Sequence, residues 1–281
     1  MVEKKLTDWR YYNHAMVPAC APHEKVNTDA VINGEIWQNC NGEGYPLLAR
    51  WTSDFDCGYE TEWWYVIKDQ PFEIDKIRSE LRRRIKKGSS YFEVRYINSS
   101  EYAEQLADVQ ITAFSAYPEK YRPVVDREKT INGFKSDKNG KYYAAFKRDT
   151  GEMCAYVILN PKGQYMNLSV EKSKPQYEKL QVNAAMIYGV LDAEKEFLKT
   201  GYICDCERNV NHETAFPDYL IKYFGFRKAY CKLHMAYRPW FEVLIRCLYP
   251  FRGLLRNFDS IGLVHQANAV LKMEEIARSC R

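Results

Sequence analysis

The sequence predicts a mixed α/β (α+β) protein. A central sheet is flanked by helices, with a loop-rich N-terminal extension and a C-terminal helical segment. Three observations carry this. Between residues 91 and 237, apolar residues recur with a period of 2 in some stretches and of 3.6 in others. Two strand-like runs flank Arg148-Asp149-Thr150-Gly151, a hairpin signal that makes part of the sheet antiparallel. Beyond the hairpin, strands alternate with long helical stretches, and crossovers of that length make another part parallel.

The 281 residues suffice for one large domain or two small ones. With 46% hydrophobic and 28% charged residues, the chain can bury a sizeable core. Aromatic residues reach 15%, with 22 tyrosines, which suits strands and aromatic-lined clefts. The net charge of +4 does not by itself point to nucleic acid. The nine cysteines have no metal-ligand spacing, and Cys204 and Cys206, in a strand, point to opposite faces. Reduced thiols, no metal and a cytoplasmic location are the expectation. The first residues lack an apolar signal core, and no apolar run is long enough to span a bilayer. Walker, dinucleotide and zinc-finger patterns are missing.

Along the chain, residues 1–60 are punctuated by Pro18, Pro22, Gly34, Gly42, Gly44, Pro46 and Gly58 and read as loops anchored by Trp37 and Trp51. Residues 63–67 have strand character. The stretch 71–88, with a basic helix at 73–87, is amphipathic: Ile74, Ile77, Leu81 and Ile85 share a face, and Gly88 closes it. Its other face carries Arg82, Arg83, Arg84, Lys86 and Lys87. That face is either a solvated surface or an anion site for phosphate, a nucleic-acid backbone or acidic lipid. Residues 91–98 alternate as a strand. A helix follows over 99–118, with Ser99 or Ser100 as N-cap and Pro118 as stop. A connector (119–140) leads to the hairpin, and a third strand covers 164–170. One long helix is expected over 174–201, then a strand at 201–207 and a helix at 211–225. In FPDYLIKYFGFRKAYCKLHMAYRP (216–239) the period switches from 3.6 to 2 at Gly225, which ends the helix before the strand at 229–237. RPWFEVLIRCLYPFRGLLRNF is apolar and aromatic with interspersed arginines. It either packs on protein or lies on a membrane surface through residues 240–258. The last helix is amphipathic.

The element order from residue 91, and the ending KYFGFRKAYCKLHMAY with Gly225-Phe226, resemble the GNAT acyl-CoA N-acyltransferase fold over about residues 91–240. KRDTGEMCAYVIL resembles that family's central antiparallel strands. ELRRRIKKGSSYFEVRYIN resembles the Arg-rich helix and strand of Fem-type peptidyltransferases, which are built from GNAT units and add amino acids from aminoacyl-tRNA to cell-wall precursors. The division this suggests is an aromatic-rich extension (1–90), an acyltransferase-like domain (91–240) and a C-terminal helical segment (241–281).

The resemblance implies transfer of an acetyl or aminoacyl group to an amine, in cell-envelope or polysaccharide assembly. A Fem-like, tRNA-dependent transferase and a non-catalytic binding protein that keeps only the fold are the alternatives. GNAT enzymes hold the CoA pyrophosphate on a glycine-containing loop after the fourth strand. The corresponding stretch here, VEKSKPQYEKLQ, has no glycine, and Pro175 lacks an N–H. The implied acyl-CoA site is therefore Val170, Glu171, Lys172, Ser173, Lys174 and Lys179. A tRNA or other anion would lie on the basic helix. The family's tyrosine acid stands four residues before the glycine. Here that position is Ile221, with Tyr219 and Tyr223 beside it.

Acyl transfer needs a base, a donor for the carbonyl oxygen and an acid for the leaving group. The groove of this fold lies between the strand ends at 164–170 and 201–207. Glu207 or Asp205 is the expected base, and His212, facing the same end, is a further candidate. Tyr219 or Tyr223 would be the acid. The bland readings are ion pairs for the carboxylates, with Arg208 or Lys172, a capping role for His212 and helix packing for the tyrosines. His234 reads as structural.

Overall fold

A computed structural model describes residues 6–38, 44–119, 122–210 and 215–280. In chain order the elements are β1 (Trp9–Tyr12), β2 (Ala15–Pro18), α1 (Asp29–Ile32), β3 (Leu48–Ser53), β4 (Trp63–Lys68), α2 (Ser79–Tyr91), β5 (Phe92–Ile97), α3 (Ala103–Ser115) and α4 (Arg127–Ser136). They continue with β6 (Lys141–Lys147), β7 (Met153–Lys162), β8 (Tyr165–Ser173), α5 (Val182–Ala193), β9 (Tyr202–Glu207), α6 (Ala215–Phe224) and β10 (Arg227–Tyr237). The chain closes with α7 (Pro239–Leu248), α8 (Arg252–Leu255) and α9 (Gly262–Ser279). Two compact units result. One takes residues 1–65, 207–214 and 228–281, the other 66–206 and 215–227.

The first unit is built on β1, β2, β3 and β10, so the loop-rich N-terminal stretch contains three strands. β2 and β3 are parallel; β1–β2 and β3–β10 are antiparallel. Alternation in β10 buries Ala229, Cys231, Leu233 and Met235. Leu233 and Met235 join Val17, Leu48 and Trp63 with Ile276 and Ala277 of α9 in one core. His234, on the opposite face, stacks on Trp51 at 5.4 Å and hydrogen-bonds the Ser53 hydroxyl at 2.7 Å, a structural role.

The second unit orders its strands β9-β8-β7-β6-β5, antiparallel except for the parallel pair β8–β9. The sheet is mixed, as the sequence predicts. Helix α3, with α4, covers one face through Leu106, Val109, Ile131 and Phe134 against Tyr142, Phe146, Tyr156 and Ile158. Two irregularities shape the site. The β8–β9 ladder runs only from Tyr165↔Tyr202 to Asn167↔Cys204, so the strands separate beyond it. In the β7–β8 ladder, Leu159 pairs with Leu168 but Ile158 with Val170, which leaves Ser169 as a bulge.

Several boundaries differ from the sequence reading. α2 starts at Ser79 because Ile77 and Arg78 are extended, and the Arg82 guanidinium donates to the carbonyls of Asp75 (2.8 Å) and Ile77 (3.3 Å). Gly88 does not close α2. It lies inside the helix, where a Cβ would stand 2.5 Å from the Gln181 carbonyl and 2.9 Å from the Ala185 Cβ. Its role is close approach to α5. α3 starts at Ala103 with no side-chain cap, because Ser100 is held in a turn by the Asn98 side chain and the Ser99 hydroxyl donates to the Asp137 carbonyl. The connector holds α4, whose first turn is capped by Asp126 accepting from the Lys129 N–H at 3.0 Å. The third strand runs on to Ser173. The long helix is broken: 175–180 is a 3₁₀ turn, and Gln181, in the left-handed region at φ 65°, caps α5. Tyr177, donating to Glu152 at 2.5 Å, pins that turn. Gly225, at φ 68°, ends α6 as expected.

Candidate active site

The separation of β8 and β9 opens where both strands turn polar. Glu171 lies opposite Val157 in the β7–β8 ladder, and Asp205 follows the last β8–β9 pair. Glu171 Oε1 is shielded from solvent and has no hydrogen-bond partner. Burial pushes the Glu171 carboxyl up to about 7; Lys172 works against that shift, while Asp205 and Glu178 add to it. Burial also pushes Asp205 up to about 6, opposed by the Cys206 thiol, which donates to Oδ2 at 3.2 Å. Burial thus brings both carboxyl groups toward neutral pH, and the charge of Asp205 adds to the shift of Glu171.

Helix α6 adds tyrosines. Leu220 and Phe224 are buried, and the Tyr219 ring packs on Tyr223 and Phe224 with centroids 5.3 and 5.5 Å away. Burial, then the charge of Glu171, holds the Tyr219 hydroxyl protonated far above an ordinary phenol; Arg84 pulls the other way. Arg84 lies over the Tyr223 ring, 5.2 Å from its centroid, and pairs with Glu80 at 2.6 Å.

Arg84 also lines a basic cavity. Arg83, Arg84, Lys87 and Gln181 enclose about 400 Å³ at the N-terminal end of α5. The first turn of α5 holds no acidic residue, and its leading N–H groups have no partner within the helix. Lys87 Nζ donates to the Lys179 carbonyl at 2.9 Å, fixing one wall. Anion binding is what such a cavity offers. Through Arg84 it is electrostatically continuous with Tyr219, Glu171 and Asp205.

The remaining expected donor residues are elsewhere engaged. Val170 packs on the α3-side core. Lys172 lies over the Phe114 ring of α3 and the Tyr117 ring just after it, with Nζ 3.2 Å from the Tyr117 hydroxyl. Ser173 is in the ladder with Ala155, and Lys174 pairs with Glu152 at 2.7 Å. Glu207 belongs to the other unit, where it forms an ion pair with Arg50. His212 lies outside the described residues. Arg82 is tied to backbone carbonyls, as above. Among the described residues no cluster of histidine, cysteine and acidic side chains could hold a metal.

Sequence reasoning put Glu171 and Asp205 at the two strand ends that flank the groove, but counted Glu171 among the donor-binding residues and not as a base. The bulge explains the miss. Strict alternation would put Glu171 opposite Met166 and Leu168. The extra residue, Ser169, instead leaves Leu168 and Glu171 on one face and Val170 and Lys172 on the other.

Strand order and the mixed sheet are those of a GNAT-like fold. No protein-family model matches the chain, and no curated protein sequence matches it. The chain is similar in structure to FemX, with 8% identity, a TM-score of 0.52 and coverage of 84% of this chain and 85% of that one. It is similar also to a conserved protein of unknown function from Bacteroides thetaiotaomicron VPI-5482, at 10% identity, a TM-score of 0.50 and coverage of 79% and 78%. L-PGS from Bacillus licheniformis aligns at 12% identity over 82% of this chain and 79% of its own, with a TM-score of 0.48. At these identities the likeness is one of fold.

Proposed function

We propose that this protein transfers an acyl group, acetyl or aminoacyl, from an anionic carrier to an amine. The observation that carries the reading is the Glu171–Asp205 pair in the gap between β8 and β9, with one unpartnered carboxylate oxygen shielded from solvent. The amine nitrogen attacks the donor's carbonyl carbon, and the carboxylate pair takes its proton. The bond from that carbon to the carrier's oxygen or sulfur then breaks. A leaving ribose oxygen, basic enough to do so, takes the Tyr219 hydroxyl proton, whereas a thiolate leaves as the anion and takes its proton from solvent. Arg83, Arg84, Lys87 and the start of α5 hold the carrier's phosphate. Acyl-CoA and aminoacyl-tRNA both fit that chemistry. The resemblance to Fem-type enzymes and the glycine-free stretch before α5 favour the tRNA-type donor, whose polyanionic backbone would use Lys86 and the rest of the α2 cations as well.

The test is calorimetric titration with CoA and with tRNA, followed by turnover on a primary amine. Arg83→Glu with Arg84→Glu should weaken carrier binding at least about tenfold, and Glu171→Gln should lower kcat about 10²–10⁴-fold while carrier binding persists. A tRNA donor predicts steep salt dependence; CoA predicts a shallow one. Wild-type protein that binds neither carrier, or full activity in Glu171→Gln, would overturn the reading.

A further inference from the structure

Helix α7 turns its apolar side the wrong way for a core. Ile245 is its buried residue, while Trp240, Val243, Leu244 and Cys247 are exposed. The stripe does not stop with α7. Phe251, Leu254, Phe258 and Ile261 continue it through α8 and the flanking 3₁₀ turns at steps of three or four residues, and all four are exposed. Val243, at 62% exposed, and Leu254, at 59%, stand for the whole row. Apolar residues at helical spacing over this length are the signature of an amphipathic segment, yet here the amphipathic side is turned outward.

Composition and charge decide what covers it. The stripe itself contains no acid. Between residues 238 and 263 stand Arg238, Arg246, Arg252 and Arg256, against Glu242 and Asp259. Arg252 and Arg256 both reach Glu275 of α9, at 3.2 and 2.8 Å, and Arg246 pairs with Glu242 at 2.6 Å, which leaves the arginines in excess of the acids they meet. A row of Trp, Phe, Leu and Ile edged by arginine is the chemistry of a helix lying in a bilayer interface with anionic headgroups at its rim. Among the described residues no helix is long and apolar enough to cross a membrane, so the contact is one of lying on the surface. We propose that residues 240–261 seat this protein flat on an anionic lipid bilayer, Trp240 and the two phenylalanines entering the headgroup layer. This is independent of the acyl-transfer reading.

Sedimentation of the full chain with vesicles tests it. Vesicles of two parts phosphatidylcholine to one part phosphatidylglycerol should carry the protein down, and phosphatidylcholine alone should do so at least about tenfold less well. Val243→Glu with Leu254→Glu should abolish sedimentation. Both side chains are exposed, so Tm should stay unchanged, which separates lost binding from lost fold. Arg256→Ala should weaken binding to the anionic vesicles about fivefold. Wild-type protein that ignores both vesicle types would overturn the proposal, as would equal sedimentation of the double variant. So would a wild-type dimer by mass that binds no vesicles and that the double variant converts to monomer, since the stripe would then be covered by a second copy.

Discussion

Glu171 keeps its proton to about pH 7 in the fold, against an ordinary value of 4.5. Between those values the folded state binds a proton that the unfolded chain has released. The group's contribution to stability therefore falls as pH rises through that window, and the cost is complete above it. The shift corresponds to a cost on the order of 3 kcal/mol for the ionised side chain. Glu171→Gln should accordingly raise Tm, and the gain should grow between about pH 5 and about pH 8; a pH-independent difference would mean that the carboxyl is not desolvated. Turnover should move oppositely, rising with pH through an apparent value near 7 as the carboxylate pair ionises. Carboxyl groups perturbed in this way cluster at functional sites, which is why the proposed chemistry is assigned to Glu171.

The elements around that group depend on one close contact. Gly88 lets α2 meet the start of α5, where the Gln181 carbonyl leaves no room for a Cβ. Gly88→Ala should cost about 1–3 kcal/mol and weaken anion binding at Arg83, Arg84 and Lys87, read by thermal unfolding and by calorimetry. Normal binding with lowered Tm would detach the cavity from the helix contact. Much at this scale was legible in the sequence. The hairpin across Arg148–Gly151, the period switch at Gly225, and the strands at 91–98 and 201–207 all follow from alternation and turn chemistry. The splay of β8 from β9 was placed at the right strands. What escaped was set by tertiary contacts: the break at Gln181, where Tyr177 and Lys87 hold a 3₁₀ turn in place of helix, and the shift of α2, where Arg82 captures carbonyls. A period-2 reading also cannot register a bulge, because the bulge residue is an ordinary serine.

Over the whole molecule, residues far apart in sequence share a core. Val17 and Leu48 from the first part of the chain, Trp63, Leu233 and Met235 from the strands, and Ile276 and Ala277 from the last helix are buried together. Composition promised a core of this size but could not say that the two ends of the chain would build it. Removal of residues 262–281 should therefore cost more than a surface helix would. The first unit should lose cooperative unfolding, seen as a broadened or absent thermal transition, while unfolding of the second unit persists. A single sharp transition at the original temperature would show that α9 adds little to that core.

The serine bulge in β8 has a genetic meaning. The pairs on either side of it, Leu159 with Leu168 and Ile158 with Val170, would be consecutive if Ser169 were missing. Loss of one codon would straighten the β7–β8 ladder while leaving Glu171 on the same face as Leu168. The resulting ladder would be more regular. The bulge thus uses one extra amino acid to set the path of a strand, not the side on which its neighbours stand.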